Sequence, residues 1–215
     1  MFIFLFFLII LIIFINKFFL QKNLLISETG DVHQKFASKS KIPLTGGLMI
    51  FLGYLYFLDD SVLSFIFFSF IILILGILSD LKVIKSANFK FILQILIIIS
   101  CVVFNDMQIN DTRIFYLDEF LKNNWANYFF ITFCVLIVVN GTNFIDGMNT
   151  LSVGHYLSVS LIILYLFMDQ TIIINNISII YIVILLLIVF LFNFSNQLFL
   201  GDSGSYLLGF SFSIF

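Results

Sequence analysis

Three aspartates, Asp80, Asp146 and Asp202, are flanked by apolar residues rather than lying in charged loops. An ionisable side chain at the depth of a membrane is energetically expensive and usually has a function. Carboxylate oxygens are hard ligands that suit Mg²⁺, which typically takes one or two carboxylates together with substrate phosphates and waters. The three residues therefore indicate a site for an anionic substrate that binds together with a metal ion.

Polar residues beside these aspartates fit the same chemistry. Gly201 and Gly204 predict backbone N–H groups left free at a helix start, which is a favourable place for an anion. Asn140 and Asn143 precede Asp146, although a helix cap is the simpler interpretation of these asparagines. Lysines that could neutralise phosphates, or could merely mark a membrane boundary, are Lys35, Lys39, Lys41, Lys82, Lys85 and Lys90.

The composition determines which kind of fold must position these residues. Of 215 residues, 62% are apolar and only 10% are charged. A soluble domain is about half apolar and about a quarter charged, and a fold of this size cannot hide so much apolar surface. The chain is therefore predicted to lie in a lipid bilayer, which excludes a soluble enzyme or a nucleic-acid binder.

Apolar runs of the length that spans a bilayer, about 20 residues, predict an all-α, polytopic bundle of about seven complete spans and the start of an eighth. The runs cover residues 1–20, 43–58, 61–78, 89–105, 126–140, 151–168 and 176–193, and the eighth begins near residue 205. Asp59 and Asp60 predict a tight turn between the second and third spans. We expect one transmembrane domain over residues 1–215.

The basic residues predict how this bundle is oriented. One alternating set of loops and helix ends holds 8 of the 10 basic residues, and the other set holds only Arg113 and Lys122. The larger group is Lys17, Lys22, Lys35, Lys39, Lys41, Lys82, Lys85 and Lys90. Because Lys and Arg concentrate in cytoplasmic loops, we expect the three aspartates at the cytoplasmic face and the N-terminus outside.

Four blocks on this predicted face resemble, in order, the motifs of the polyprenyl-phosphate N-acetylhexosamine-1-phosphate transferases (glycosyltransferase family 4). The blocks are residues 42–47 (IPLTGG), 76–80 (GILSD, followed by Lys90 and Gln94), 140–147 (NGTNFIDG) and 199–205 (FLGDSGS). The family includes the phospho-MurNAc-pentapeptide translocase and the GlcNAc-1-phosphate transferases. No single block is specific, but four of them in the family's order are.

The resemblance implies that a sugar-1-phosphate is transferred from a UDP-N-acetylhexosamine to undecaprenyl phosphate, with release of UMP, at a bacterial inner membrane. It implies that Asp202 and Asp146 hold Mg²⁺, with Mn²⁺ as an alternative, and that Asp146 with Asn143 contacts the nucleotide. It also implies that Asp80 positions or deprotonates the lipid phosphate. Further implied binding residues are Asn140, Lys90, Gly201 and Ser205. The family contains homodimers, so a homodimer is one expected state.

Several positions depart from the family's pattern. Ser79 stands where an aspartate is usual, Asn149 replaces a common acidic residue, and Ser38 lies near the place of a missing histidine. These changes predict weaker catalysis without a change of fold. Family members usually have about ten or eleven spans and a later histidine-rich loop, whereas this chain ends within a predicted helix at Phe215. We therefore expect a truncated or partial sequence.

Two other functions compete with the transferase. A proton-coupled carrier would also use membrane carboxylates, but it needs access from both faces, whereas the three aspartates are predicted at one face. A non-catalytic remnant of the family is the other alternative, motivated by Ser79 and by the expected truncation. Among transferases, Asn149 favours the GlcNAc-1-phosphate branch over the translocase.

Overall fold

The structure, a computed structural model, describes residues 2–27, 41–57, 63–147, 150–167 and 173–214, and it is predominantly helical. The helices are α1 (Phe2–Lys22), α2 (Gly46–Phe57), α3 (Leu63–Asp80), α4 (Ala87–Phe104), α5 (Phe115–Leu121), α6 (Asn124–Ile145), α7 (Leu151–Phe167), α8 (Ile173–Phe194) and α9 (Gly201–Ile214). Two short strands, β1 (Ile26–Ser27) and β2 (Ile42–Pro43), form an antiparallel pair. The predicted all-α fold is confirmed.

Among the described residues, four helices are long and apolar enough to cross a bilayer: α1, α3, α4 and α6. The shorter apolar helices are α2, α7 and the described part of α8. Eighteen helical residues, as in α3 and α4, rise about 27 Å, close to the bilayer's hydrocarbon thickness of about 30 Å. The polytopic bundle is thus confirmed, the number of spans stays a prediction, and the Asp59–Asp60 turn lies outside the described residues.

Helix α6 continues past the point where the sequence predicts a loop. Residues 140–145, predicted as loop, form its last turns. Asn140 Nδ2 donates to the Leu136 carbonyl at 2.9 Å, and Thr142 Oγ1 donates to the Val138 carbonyl at 2.7 Å. Because these side chains find acceptors one turn back, the polar residues remain in the helix, and Asn140 and Asn143 are not caps.

Helix α9 lies at the centre of the described bundle, packed against α2, α3 and α6. Glycines permit this approach: a Cβ atom added at Gly47 would lie 2.7 Å from the Gly204 nitrogen, and one at Gly209 would lie 2.7 Å from the Val139 Cα. Most of α9 is buried, although it carries several serines and glycines. The small residues let backbones touch, which is the usual way that helices associate in membranes.

The Gly76→Ala substitution should test this close packing. A methyl group at Gly76 would collide with the Cα atom of Ser203 in α9, and overpacking of this kind costs about 1–3 kcal/mol. For a chain of this size we expect the melting temperature in detergent to fall by about 2–4 °C per kcal/mol. Gly141→Ala is the matched control, because nothing lies within 4 Å of the added atom. Equal melting temperatures for the two variants would contradict the packing.

The strand pair fixes the turn that precedes α9. The Phe199 N–H donates to the Pro43 carbonyl at 2.9 Å, and the Gly46 N–H donates to the Phe199 carbonyl at 3.0 Å. Buried Asn16 in α1 donates to the Gln197 carbonyl at 3.1 Å and accepts the Thr45 hydroxyl at 2.5 Å. Helix α1, β2 and the turn before α9 are therefore held in one hydrogen-bonded unit.

Candidate active site

A cavity of about 470 Å³ opens at the end of the bundle where α3 and α6 finish and α9 begins. Its charged and polar lining includes Ser79, Asp80, Lys82, Lys90, Asn143, Asp146 and Asp202. Residues from β1, the segment after β2 and the turn before α9 complete the wall. The three aspartates selected from the sequence therefore line the same cavity, and so do Lys90, Asn143 and Gly201.

Asp202, in the first turn of α9, is held by side chains from three other helices. Its carboxylate accepts a hydrogen bond from Asn143 Nδ2 of α6 at 2.8 Å, and it forms an ion pair with Lys90 Nζ of α4 at 3.2 Å. The Ser79 hydroxyl of α3 donates to the same carboxylate. The orientation of Asp202 consequently depends on the packing of four helices.

Ser79 is the position where the family pattern carries a second aspartate. The side chain is buried, and its hydroxyl donates to an oxygen of Asp202, where a second carboxylate would instead repel it. The substitution therefore removes one negative charge from the cavity and adds a donor to the carboxylate that remains. Sequence reasoning identified the missing charge but not the contact that replaces it.

Asp80, the last residue of α3, caps the start of α9. Its Oδ1 accepts the Asp202 N–H at 2.8 Å, and its Oδ2 accepts the Ser203 N–H at 3.1 Å. Gly201, with φ of +67°, turns the chain so that these two N–H groups face α3. The first turn of a helix has unpaired N–H groups, and here a carboxylate from another helix satisfies two of them.

This cap corrects one prediction from the sequence. The N–H groups near Gly201 and Gly204 were expected to be free for a substrate anion, but those of Asp202 and Ser203 donate to Asp80. The Gly204 N–H donates to the Leu200 carbonyl at 3.1 Å. The prediction of free N–H groups is thus wrong at these three positions. At Asp202 and Ser203 the close approach of α3 at Gly76 brings an internal anion to the site, and at Gly204 a backbone carbonyl is the acceptor.

Asp146 caps the C-terminal end of α6 and lines the cavity. Within the described part of the chain, its carboxylate accepts no hydrogen bond. Burial, together with the nearby carboxylates of Asp80 and Asp202, raises the pKa of Asp146 well above its ordinary value. A carboxylate charge that is both desolvated and repelled by other carboxylates is stabilised by a cation. A cation bound in this cavity would therefore stabilise the charged form of Asp146.

Two predicted binding residues, Asn140 and Ser205, are not part of the cavity lining. Asn140 donates to Gln94 Oε1 at 3.0 Å, which joins α6 to α4. Ser205 Oγ accepts from Asn143 Nδ2 at 3.0 Å. Ser205 thus contacts Asn143, which does line the cavity, whereas Asn140 contacts Gln94, which does not.

Other lining residues were not foreseen from the sequence. Asn193, near the end of α8, lines the cavity and accepts the Thr150 N–H at 2.7 Å. The sequence feature that could have identified Asn193 is its position at the end of a long apolar run. Ile26 and Ser27 of β1 belong to no recognised motif. Predicted residues His33, Lys35, Ser38, Lys39 and Asn149 lie outside the described residues.

The carboxylates suit a divalent cation in type and number. Among the described residues, no three His, Cys, Asp or Glu side chains are close enough to bind a metal ion by themselves. Mg²⁺ does not require such a cluster, since it usually keeps several waters and takes one or two carboxylates plus substrate phosphates. Asp146, which has no donor among the described residues, and Asp202, at the same cavity, fit that requirement.

The Asp146→Asn substitution should make the protein more stable at neutral pH in Mg²⁺-free buffer. Because the pKa of Asp146 is raised on folding, the folded state binds its proton more tightly, and stability falls as pH rises from the ordinary pKa of about 3.9 to the raised value. Asparagine removes that penalty. The gain in melting temperature over wild type should therefore be present at pH 7 and disappear below about pH 4.

Asp118→Asn is the control with the opposite sign. Hydrogen bonds from the Thr112 hydroxyl and N–H hold the pKa of Asp118 below its ordinary value. Its charge therefore stabilises the fold above the unfolded pKa, and this contribution is lost as the pH falls through the lowered pKa. Asp118→Asn should lower the melting temperature at neutral pH. A loss of stability in Asp146→Asn that is the same at every pH would contradict the assignment.

The fold and the cavity together define a class: a multi-pass membrane protein with a site of carboxylates and lysines at one end of its helical bundle. The family model described as Glycosyl transferase family 4 matches residues 62–215. The chain belongs to glycosyl transferase family 4. The resemblance identified from the four sequence blocks is thereby confirmed.

Two curated relatives give the same family relationship. The chain is 29% identical over 192 residues to the probable undecaprenyl-phosphate N-acetylglucosaminyl 1-phosphate transferase of Bacillus subtilis (strain 168), covering 85% of this chain and 51% of the relative. It is 29% identical over 182 residues to the phospho-N-acetylmuramoyl-pentapeptide-transferase of Dictyoglomus thermophilum, covering 80% of this chain and 57% of that relative. The chain therefore spans about half the length of the curated relatives it matches.

Proposed function

We propose that the protein transfers a sugar-1-phosphate from a UDP-N-acetylhexosamine to undecaprenyl phosphate and releases UMP. The observation that carries the proposal is the convergence of Asp80, Asp146, Asp202 and Lys90 on one cavity at one end of a membrane bundle. Membership of glycosyl transferase family 4 supports it. The names of both relatives, each a transferase of a phosphorylated amino sugar, support it as well.

In the proposed reaction, a phosphate oxygen of the lipid attacks the β-phosphorus of the UDP-sugar in line. The bond from that phosphorus to the bridging oxygen breaks, and UMP leaves with the electron pair. Bound Mg²⁺, or Mn²⁺ as the alternative, would supply polarisation of the diphosphate and neutralisation of the negative charge that develops in the transition state. Asp146 and Asp202 are the residues that would hold the ion.

The other residues of the site have positioning and charge roles in this proposal. Lys90 reaches the cavity as a cation beside Asp202, where it can also bind a substrate phosphate. Asn143 holds Asp202 in one orientation through its amide. Asp80 holds the first turn of α9, and thus the backbone of Asp202, in place. Most of the acceleration would then come from positioning and electrostatics.

The proposed topology places the cavity at the cytoplasmic face of a bacterial inner membrane, with the N-terminus outside. At the cavity end, the described residues include Lys22, Lys41, Lys82, Lys85 and Lys90. Arg113 and Lys122 lie between α4 and α6, at the opposite end. This asymmetry supports the orientation, because cytoplasmic loops are enriched in Lys and Arg. The single domain over residues 1–215 and the homodimer stay predictions.

UMP release is the measurement that tests the proposed function. Protein purified at the full length that its gene encodes would receive undecaprenyl phosphate, Mg²⁺ and a panel of UDP-sugars. We expect UMP with UDP-N-acetylglucosamine in preference to UDP-MurNAc-pentapeptide, since Asn149 favours that branch. No UMP with any donor would contradict the transferase. Substrate flux into proteoliposomes without UMP would instead identify a carrier.

A further inference from the structure

A second surface lies at the end of the bundle opposite the cavity. It consists of large apolar side chains on and beside α5: Ile114, Phe115, Tyr116, Phe120 and Trp125, here called the α5 surface. All five are exposed, and the exposed fraction reaches 85% for Tyr116. Large apolar side chains that are exposed together on a surface facing water generally mark a site of interaction.

The lengths of the flanking helices give the position of the α5 surface relative to the bilayer. Helix α4 starts beside the cavity, near Lys90, and ends at Phe104, and α6 returns from Asn124 to Asn143 at the cavity. The 18 residues of α4 span about 27 Å, close to the hydrocarbon thickness of about 30 Å. Helix α5 therefore lies where the opposite leaflet meets water.

Hydrogen bonds hold α5 in a fixed orientation. Asn127, buried at the start of α6, donates to the carbonyls of Ile109 and Leu121 at 2.9 and 3.0 Å and accepts the Ile109 N–H at 3.0 Å. Leu121 is buried against the bundle. Asp118 accepts the Thr112 N–H at 2.7 Å. With these inner contacts made, Phe115, Tyr116 and Phe120 of α5 still remain exposed on the described structure.

This short segment carries charged residues as well as aromatic ones. Glu119 pairs with Lys122, and the lowered pKa of Asp118 keeps its carboxylate charged at neutral pH. Trp125 of the α5 surface also shares a surface depression with Phe104, an exposed apolar residue at the end of α4. Tyr and Trp, with an apolar body and a polar tip, concentrate at membrane interfaces. The segment thus carries exposed aromatic residues together with charged ones, as helices that lie in a membrane interface do.

We propose that the α5 surface lies in the headgroup region of the leaflet opposite the cavity and that its partner is the phospholipid interface. The aromatic side chains of α5 enter the boundary of the acyl chains, and the charged groups stay at the water side. The proposal requires a multi-pass membrane protein and does not depend on the proposed transferase activity.

Tryptophan fluorescence can test this placement, because Trp125 is the only tryptophan in the sequence. In a Trp125→Phe background, Tyr116→Trp places the probe on α5, and its exposure makes the change structurally mild. Leu96→Trp is the matched control, since Leu96 is exposed near the middle of α4. Both variants would be reconstituted in phospholipid vesicles that contain lipids brominated either near the headgroup or near the chain ends.

For Tyr116→Trp we expect a blue-shifted emission and at least about twofold stronger quenching by bromine near the headgroup than near the chain ends. Leu96→Trp should show the reverse order, as expected for a helix that crosses the core. Strong quenching of Tyr116→Trp by aqueous iodide, without quenching by brominated lipid, would overturn the proposal. Protection from both quenchers would also overturn it and would indicate that a second copy of the protein covers the surface.

Discussion

The Asp202→Asn variant should release UMP about 10³-fold more slowly than the wild type while remaining folded. Asparagine retains the size of the side chain and one acceptor oxygen, but it removes the negative charge that Lys90 and Asn143 now orient. Loss of one preorganised electrostatic group in an active site typically costs about 10²–10³ in rate. We expect the upper end of this range of rate loss because Asp202 is also a proposed ligand of Mg²⁺.

Measurement of UMP release at several Mg²⁺ concentrations would separate these contributions. If Asp202 holds the ion, excess Mg²⁺ should recover part of the lost rate. The control is Asp111→Asn, which removes a carboxylate from the opposite end of the bundle, where it accepts the Arg113 N–H at 2.8 Å. That variant should retain wild-type activity. Activity of Asp202→Asn equal to that of Asp111→Asn would disprove the role assigned to Asp202.

The Asp80→Ala variant should lose both stability and activity. The N–H groups of Asp202 and Ser203 would lose their acceptor, and removal of a helix cap costs up to about 2 kcal/mol. That loss corresponds to a fall of about 4–8 °C in melting temperature for a chain of this size. The first turn of α9 would loosen, and with it the orientation of Asp202, so UMP release should fall by at least about 10²-fold.

The Asp80→Asn variant distinguishes a positioning residue from a general base. Asparagine keeps one acceptor oxygen, so a positioning role predicts a loss between wild type and Asp80→Ala in both melting temperature and rate. The pH profile of the residual activity should then match that of the wild type. A base at this position predicts instead that Asp80→Asn is as inactive as Asp80→Ala and has lost the acidic limb of the profile.

The helical fold, and the grouping of the three aspartates at one cavity, could be predicted from the sequence. The hydropathy of a spanning helix is a strong signal because lipid forces the backbone to satisfy its own hydrogen bonds. The boundaries were harder: hydropathy ends α6 near Asn140, but the side chains of Asn140 and Thr142 bond within the helix and extend it to Ile145. Asp80, Asp146 and Asp202 were correctly grouped because a charge among apolar residues is rare.

The contacts among those residues could not be predicted in the same way. The cap that Asp80 provides for α9 joins residues that are 122 positions apart, and it depends on a close approach at Gly76 that no local pattern shows. The contact between Ser79 and Asp202 depends on the same packing. Helix α5 was missed because it has only seven residues, too few for the hydropathy of a span.

The central place of α9 has a consequence for the order in which the protein is assembled. During synthesis, α2, α3 and α6 enter the membrane before α9, and the groove that these three helices form in the described bundle is filled once α9 follows. Until then, Asp80 has no N–H groups to accept and Asn143 has no carboxylate to orient. The nascent bundle must therefore keep an open, polar groove beside lipid. The cavity forms only when residues 201–214 have left the ribosome and inserted into that groove.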